Sequence, residues 1–143
     1  MKRYSIIAIL LCALTLNVFA AKKPVAFKDV PEAIQKAILA NYQKEQIQFI
    51  TSEKEFRNYE YEIVLKDGTS LKYDKKAKFR EVKNKNGVKE VFLPKNIQQY
   101  IHHIFPNTEV TDYKKASYHQ IVELNNQMVL VFDKRGKFLR IDN

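Results

Sequence analysis

The sequence predicts an α+β fold: two tandem units, each a helix followed by a four-stranded antiparallel sheet, joined into one curved sheet with both helices on one face. Three observations predict it. Ile34, Ile38 and Tyr42 match Ile97, Ile101 and Phe105 at a constant offset of 63 positions, and Val30-Pro31 matches Leu93-Pro94 at the same offset. Tyr73-Asp74-Lys75 and Phe79 match Phe132-Asp133-Lys134 and Phe138 at an offset of 59. Between these anchors both halves switch from helical apolar spacing to strand alternation.

Residues 1–20 are expected to form a secretory signal peptide. Lys2 and Arg3 supply its charged start, Ile6 to Phe19 is largely apolar, and Val18-Phe19-Ala20 suits cleavage after Ala20 or Ala21. The run falls short of the roughly 18 apolar residues that span a bilayer, and Ser5, Thr15 and Asn17 interrupt it. No transmembrane segment is therefore expected once the leader is removed. The chain's one cysteine, Cys12, lies in this leader. The mature protein is then expected to have no disulfide framework, thiol nucleophile or cysteine metal site. Residues 21–29 have no periodicity and are expected to be a flexible entry.

The first unit spans residues 30–92. Pro31 suits a first helical turn, where its missing N–H has no partner to lose, and Glu32 favours the positive end of the dipole. Ile34, Ala37, Ile38 and Tyr42 form an apolar stripe. Strands cover it, starting at Ile47–Phe49. Tyr59, Tyr61, Ile63 and Leu65 then share one face, with Glu60, Glu62 and Lys66 on the other. Asp67-Gly68 signals a hairpin turn that needs positive φ. Leu71 and Tyr73 resume the alternation, Asp74–Ala77 turns, and Phe79–Lys83 is the fourth strand. Asn86-Gly87 turns again, and Val88–Phe92 is a short strand or extended linker.

The second unit spans residues 93–143. Pro94 opens a helix with Ile97, Tyr100, Ile101, Ile104 and Phe105 on its stripe, and Pro106-Asn107 ends it. Strands follow at Val110–Lys114, Tyr118–Leu124, Met128–Phe132 and Phe138–Ile141. The unbroken apolar run Met128–Phe132 predicts a strand buried on both faces or central in the sheet. Consecutive strands joined by tight turns pair antiparallel. One face is then covered by helices and the other is open.

Val30-Pro31 and Leu93-Pro94 opening the helices, Phe105-Pro106 closing the second, Tyr61-Glu62-Ile63-Val64-Leu65 before Asp67-Gly68, and Phe132-Asp133-Lys134-Arg135-Gly136-Lys137-Phe138 near the end occur in a telling order. With them the chain resembles the tandem PepSY-like domains of exported bacterial proteins, described as beta-lactamase-inhibitor-like, over residues 30–142. The resemblance implies a helix-and-sheet repeat outside the cytoplasm, without catalytic residues, whose relatives bind or restrain other proteins, including hydrolases. The chain departs from its own repeat at Ala77, where the second copy has Gly136, and at Asn126-Gln127, where the first has Asp67-Gly68. These departures are expected to loosen one hairpin turn in each unit. Lactamase inhibition is not implied, because no inhibitory loop matches residue by residue.

The residues argue against catalysis. There is no Gly-x-Ser-x-Gly elbow, no phosphate-cradling glycine loop and no His-Glu-x-x-His pattern. His102 and His103 are adjacent on a helix and point about 100° apart, which is poor for shared metal ligation. Glu60 and Glu62 share a strand face and suit a solvated surface better than a glycosidase pair. No enzyme activity, cofactor or metal is expected.

The formal net charge is +9, and its excess is concentrated. Lys72, Lys75, Lys76, Lys78, Arg80, Lys83, Lys85 and Lys89 face only Asp74 and Glu81 along that stretch. Interleaved Tyr73 and Phe79 invite a comparison with single-strand binders. Both occupy repeat positions that belong to a core, and the expected export also disfavours nucleic acid. A solvated charge run or an anionic surface such as lipid headgroups or polysaccharide remains.

The sequence is thus expected to encode a non-enzymatic periplasmic or secreted binding module, inhibitory or regulatory, that holds a protein or peptide of the cell envelope on its open sheet face. By strand parity the candidate contacts are Glu60, Glu62, Lys72, Asp74, Arg80, His119 and Glu123. The alternative is a binder of anionic ligands or envelope polymers through Lys72–Lys89. Parity in the second unit stays open, because one extra residue separates Ile121 from Asp133 relative to Ile63 and Asp74. A one-residue slip exchanges the faces.

Overall fold

Two prolines set where the helices begin. The residue before a proline is pushed to extended backbone, and Val30 and Leu93 have ψ of 141° and 142°. Pro31 and Pro94 then cap α1 (Glu32–Leu39) and α2 (Lys95–Ile104). The computed structural model describes residues 21–55 and 58–142; the expected signal peptide, residues 1–20, lies outside the described residues. A 3-10 turn precedes each helix, at Phe27–Asp29 and Glu90–Phe92. The stretch Val88–Phe92, expected to be extended, turns because Phe92 and Leu93 N–H donate back to Lys89 and Glu90 carbonyls. Gln35 Nε2 donates to Val30 O at 2.7 Å and Gln98 Nε2 to Leu93 O at 2.8 Å, tying each helix to its entry.

The strands are β1 (Lys23–Pro24), β2 (Ile47–Glu55), β3 (Asn58–Leu65), β4 (Ser70–Asp74), β5 (Phe79–Lys83), β6 (Val110–Lys115), β7 (His119–Leu124), β8 (Val129–Asp133) and β9 (Phe138–Asp142). They form one nine-stranded sheet in sequence order, with every neighbouring pair antiparallel. The ninth strand corrects the eight expected. Lys23 and Pro24, in the segment expected to be flexible, pair with Ser52 and Thr51. Val25 N–H donates to Ile50 O at 2.9 Å, and Val25 and Phe27 pack against the core. A strand of two residues carries no alternation to detect.

Both helices bury the same way. Ile34, Ile38, Ile97 and Ile101 join one cluster with Ile63, Leu71, Val82, Tyr113, Val122, Leu130 and Phe132. Burying each isoleucine contributes about 1.5–3 kcal/mol. The β5–β6 pairing closes the seam between halves, with Val82 opposite Tyr113. Phe79 bridges it, stacked 5.5 Å from Phe92 and 6.0 Å from Tyr113. Ile104, expected on the apolar stripe, is exposed in the last turn of α2, beyond the two buried isoleucines. Leu130, Val131 and Phe132 are buried as expected, yet β8 is next to the edge strand and not central.

Four bulges interrupt the ladder, leaving Gln48, Arg80, Thr111 and Leu139 as extra residues on β2, β5, β6 and β9. Bulges bend a strand and re-aim its side chains. The offset between halves changes from 63 to 59 within the β2–β3 and β6–β7 hairpins. Val122 and Leu124 therefore take the core places of Ile63 and Leu65, and the extra residue expected after Ile121 does not exist. Ile121 lies on the other face.

The turns expected to loosen are formed. Ala77 (φ 60°) and Gln127 (φ 69°) adopt the left-handed conformation of Gly136 (φ 80°) and Gly68 (φ 86°). Side-chain carboxylates and an amide hold them: Asp74 and Asp133 Oδ1 accept from Lys76 and Arg135 N–H, each at 2.8 Å, and Asn126 Oδ1 accepts from Met128 N–H at 3.1 Å.

Candidate functional site on the open sheet face

The face away from the helices is built by alternation. Tyr61, Ile63, Leu71 and Tyr73 belong to the core side, so Glu60, Glu62, Lys72 and Asp74 project to the front. Glu81 and Lys83 lie there too, opposite Lys72 and Ser70 on one side and Lys114 and Asp112 on the other. The bulge residue Arg80 reaches Asp74, Nη2 to Oδ2, at 2.9 Å. On β7, His119 and Glu123 alternate with buried Gln120, Val122 and Leu124. All seven sequence-predicted residues thus share the front.

A ladder of opposite charges crosses the first half. Lys22 Nζ meets Glu62 Oε2 at 2.5 Å, and Ser70 Oγ donates to Glu62 Oε1 at 2.8 Å. Lys72 Nζ lies 2.8 Å from Glu81 Oε2 and 3.7 Å from Glu60 Oε1. Lys83 Nζ lies 3.4 Å from Glu81 Oε1 and 2.9 Å from Asp112 Oδ2. Glu81 is only 6% exposed. Burial disfavours its charge, yet the hydrogen bond and field of Lys72, with Lys83 and Lys114, hold its carboxyl below the usual range. Glu62 behaves likewise under Lys22 and Ser70. Asp112 goes the other way: burial raises it, Glu81 and Glu123 repel its charge, and the bond from Lys83 does not outweigh them.

A cavity of about 450 Å³ sits on this ladder, lined by Glu53, Glu60, Lys72, Asp74, Arg80, Glu81 and Lys114, among others. Four predicted residues, Glu60, Lys72, Asp74 and Arg80, line it. Glu62 is engaged by Lys22, while His119 and Glu123 line two other cavities. Sequence reasoning missed Glu81, Asp112 and Lys114. Their alternation was visible, but the bulge at Arg80 hides which face it serves. In the second half of the front Ile121 lies beside Val131 across β7 and β8, between His119 and Glu123 and next to Arg140 of β9, and Val131 is 2% exposed.

The basic run does not gather into one patch. Lys72 and Lys83 belong to the ladder, and Lys75, Lys76 and Lys78 sit on or beside the β4–β5 turn. Lys89 Nζ donates to Asn41 O at 3.0 Å and lies 4.1 Å from the Tyr42 ring. His102 and His103 are exposed, and His102 Nε2 is 2.7 Å from Glu90 Oε1. Among the described residues, no group of three or more His, Cys, Asp or Glu is placed to hold a metal ion.

A one-sided antiparallel sheet, backed by two helices and fronted by paired charges, defines a class of small α+β module. The chain belongs to the family described as "Putative beta-lactamase-inhibitor-like, PepSY-like", whose model matches residues 17–81 and 59–140. Among solved structures it is similar to a "putative calcium-regulated periplasmic protein" of Bacteroides thetaiotaomicron, with TM-score 0.80, 26% identity, and 85% of this chain and 97% of that chain covered. It is also similar to a "putative periplasmic protein" of the DUF2874 family from Bacteroides vulgatus ATCC 8482, with TM-score 0.78, 23% identity and coverage of 85% and 97%. A third, a "putative periplasmic protein of unknown function" from the same Bacteroides vulgatus strain, gives TM-score 0.79, 21% identity and coverage of 86% and 100%. No curated protein matches the sequence. Among the described residues, no helix is long and apolar enough to cross a membrane.

Proposed function

We propose that this chain is an exported, non-enzymatic binding module, made of two copies of one helix-and-sheet unit, that holds a protein or peptide of the cell envelope against its open sheet face in an inhibitory or regulatory role. The observation that carries this reading is the packing of both helices into one cluster on the same side of the sheet. The front combines two things a partner surface needs. Its charges are arranged in a fixed order, which selects a complementary partner and sets its register, and the half-buried Ile121 and Val129 supply some apolar area. The calcium regulation named for the Bacteroides thetaiotaomicron relative is not extended to this chain, because Glu62, Glu81, Asp74 and Asp112 have lysine or arginine partners.

The test compares two charge-swapped proteins with the wild type as baits for envelope extract at low and at moderate salt. Glu53→Lys with Lys114→Glu alters the front without changing net charge; Glu32→Lys with Lys36→Glu does the same on α1. The reading expects a protein retained at moderate salt by the wild type and the α1 swap and lost by the front swap. Equal retention by both swaps, or retention of no protein while anionic polymer columns hold the chain, contradicts it.

A further inference from the structure

One end of the sheet collects basic side chains from three separate hairpins. Lys78 and Arg80 come from the β4–β5 turn and β5, Lys115 and His119 from the ends of β6 and β7, and Lys134 and Arg135 from the β8–β9 turn; all line one cavity of about 560 Å³. Among the described residues, no carboxylate lines it. Only Lys78 and Arg80 belong to the basic run of the sequence. The rest arrive by folding.

The neighbouring carboxylates are turned into their own turns. Asp74 Oδ1 accepts from the N–H groups of Lys76 and Lys78, and its Oδ2 engages Arg80. Asp133 Oδ1 accepts from the N–H groups of Arg135 and Lys137. Lys78, Lys115, Lys134 and Arg135 remain exposed. Two of the ammonium groups rest against rings, Lys115 at 5.8 Å from Phe79 and Lys134 at 4.9 Å from Tyr118.

The arrangement is also held in place. Gln120, 7% exposed, donates from Nε2 to Asp133 O at 3.1 Å and Lys134 O at 3.2 Å, and its Oε1 accepts from Tyr113 O–H. A buried amide thus fixes the turn that carries Lys134 and Arg135 to the strand that carries His119. Like charges gathered in this way repel one another, and a multiply charged anion removes that cost.

We propose that this cavity binds a phosphate monoester, carried by a small soluble molecule or a lipid headgroup. Arginine offers a planar fork that matches phosphate oxygens, and lysine a mobile point charge. The volume lies within the range of about 300–1,000 Å³ usual for small-molecule sites, so it admits more than a bare ion. Phe79 and Pro94 supply an apolar wall for the body that bears the phosphate. The site is separate from the partner reading and stands or falls without it.

Calorimetry with glucose 1-phosphate and flotation with phosphatidylcholine vesicles, with and without phosphatidic acid, test it on the purified protein. Lys78→Gln/Lys134→Gln/Arg135→Gln empties the cavity of three charges; Lys36→Gln/Lys75→Gln/Lys85→Gln removes as many elsewhere. Saturable binding of either probe is expected, weakened about tenfold or more in the cavity variant and little changed in the control. The probe that binds identifies the source of the ester. Failure of both probes, or equal weakening in the two variants, overturns the proposal.

Discussion

Ala77 and Gln127 hold φ of 60° and 69°, a region that costs a residue with a Cβ about 1–2 kcal/mol. Both sit where the other half of the chain has glycine. Ala77→Gly and Gln127→Gly are each expected to raise stability by about 0.5–1 kcal/mol, part of the relief being offset by the extra freedom of glycine in the unfolded chain; urea denaturation reads the gain. Glu81 is a second residue with a defined signature. Its folded pKa lies below the ordinary value, so its stabilisation is complete above an unfolded value of about 4.3 and is lost as pH falls through the folded value. Glu81→Gln is expected to cost about 2 kcal/mol at neutral pH, and the difference from wild type shrinks toward zero in acid melts. Asp112 opposes it: its folded pKa is raised, so its ionisation costs stability as pH rises above the unfolded value.

At the scale of elements, the β8–β9 turn and α2 are matched to each other. A Cβ on Gly136 would lie 2.3 Å from Asn96 Nδ2, the atom that donates to Arg135 O at 2.6 Å. In the first half the equivalent residues are Ala77 and Ala33, a pair with no such amide. Gly136→Ala is expected to cost about 2 kcal/mol through φ and the collision together. Adding Asn96→Ala recovers about 1 kcal/mol of it, and a double-mutant cycle measures the coupling. The helices themselves were legible, because Pro31, Pro94 and the isoleucines at helical spacing announce them. Gln35 and Gln98 were not, since a glutamine on a helix reads as a surface residue until the Val30 and Leu93 carbonyls are placed beside it. The 3-10 turns and β1 were invisible for a related reason: each is too short to carry a period.

Across the whole molecule, the seam joins the halves through one sheet and one core. Val82 and Tyr113 are fully buried where β5 meets β6, so Ile97→Ala, in the second half, is expected to cost about 2–5 kcal/mol and to move a single calorimetric transition of the entire chain. Two resolved transitions would show the halves folding apart. Strand alternation made the front of the first half legible from Glu60, Glu62 and Lys72. The second half resisted because the offset between copies changes inside a hairpin, which moved Val122 to the place assigned to Ile121. The basic cavity lay beyond sequence reasoning, since three hairpins distant along the chain meet only in the folded sheet.

Cysteine labelling offers the most direct measurement, because the chain's one native cysteine, Cys12, falls in the expected leader. Single cysteines replace Glu53, Lys114 and Glu123 on the front, and Lys36 and Gln99 on the helices, and their thiol reaction rates are followed before and after envelope extract is added. All five sites are expected to react fast in the isolated protein, with extract protecting the three front sites alone. Slow reaction at the front of the isolated protein, or protection of positions 36 and 99 instead, would contradict this expectation.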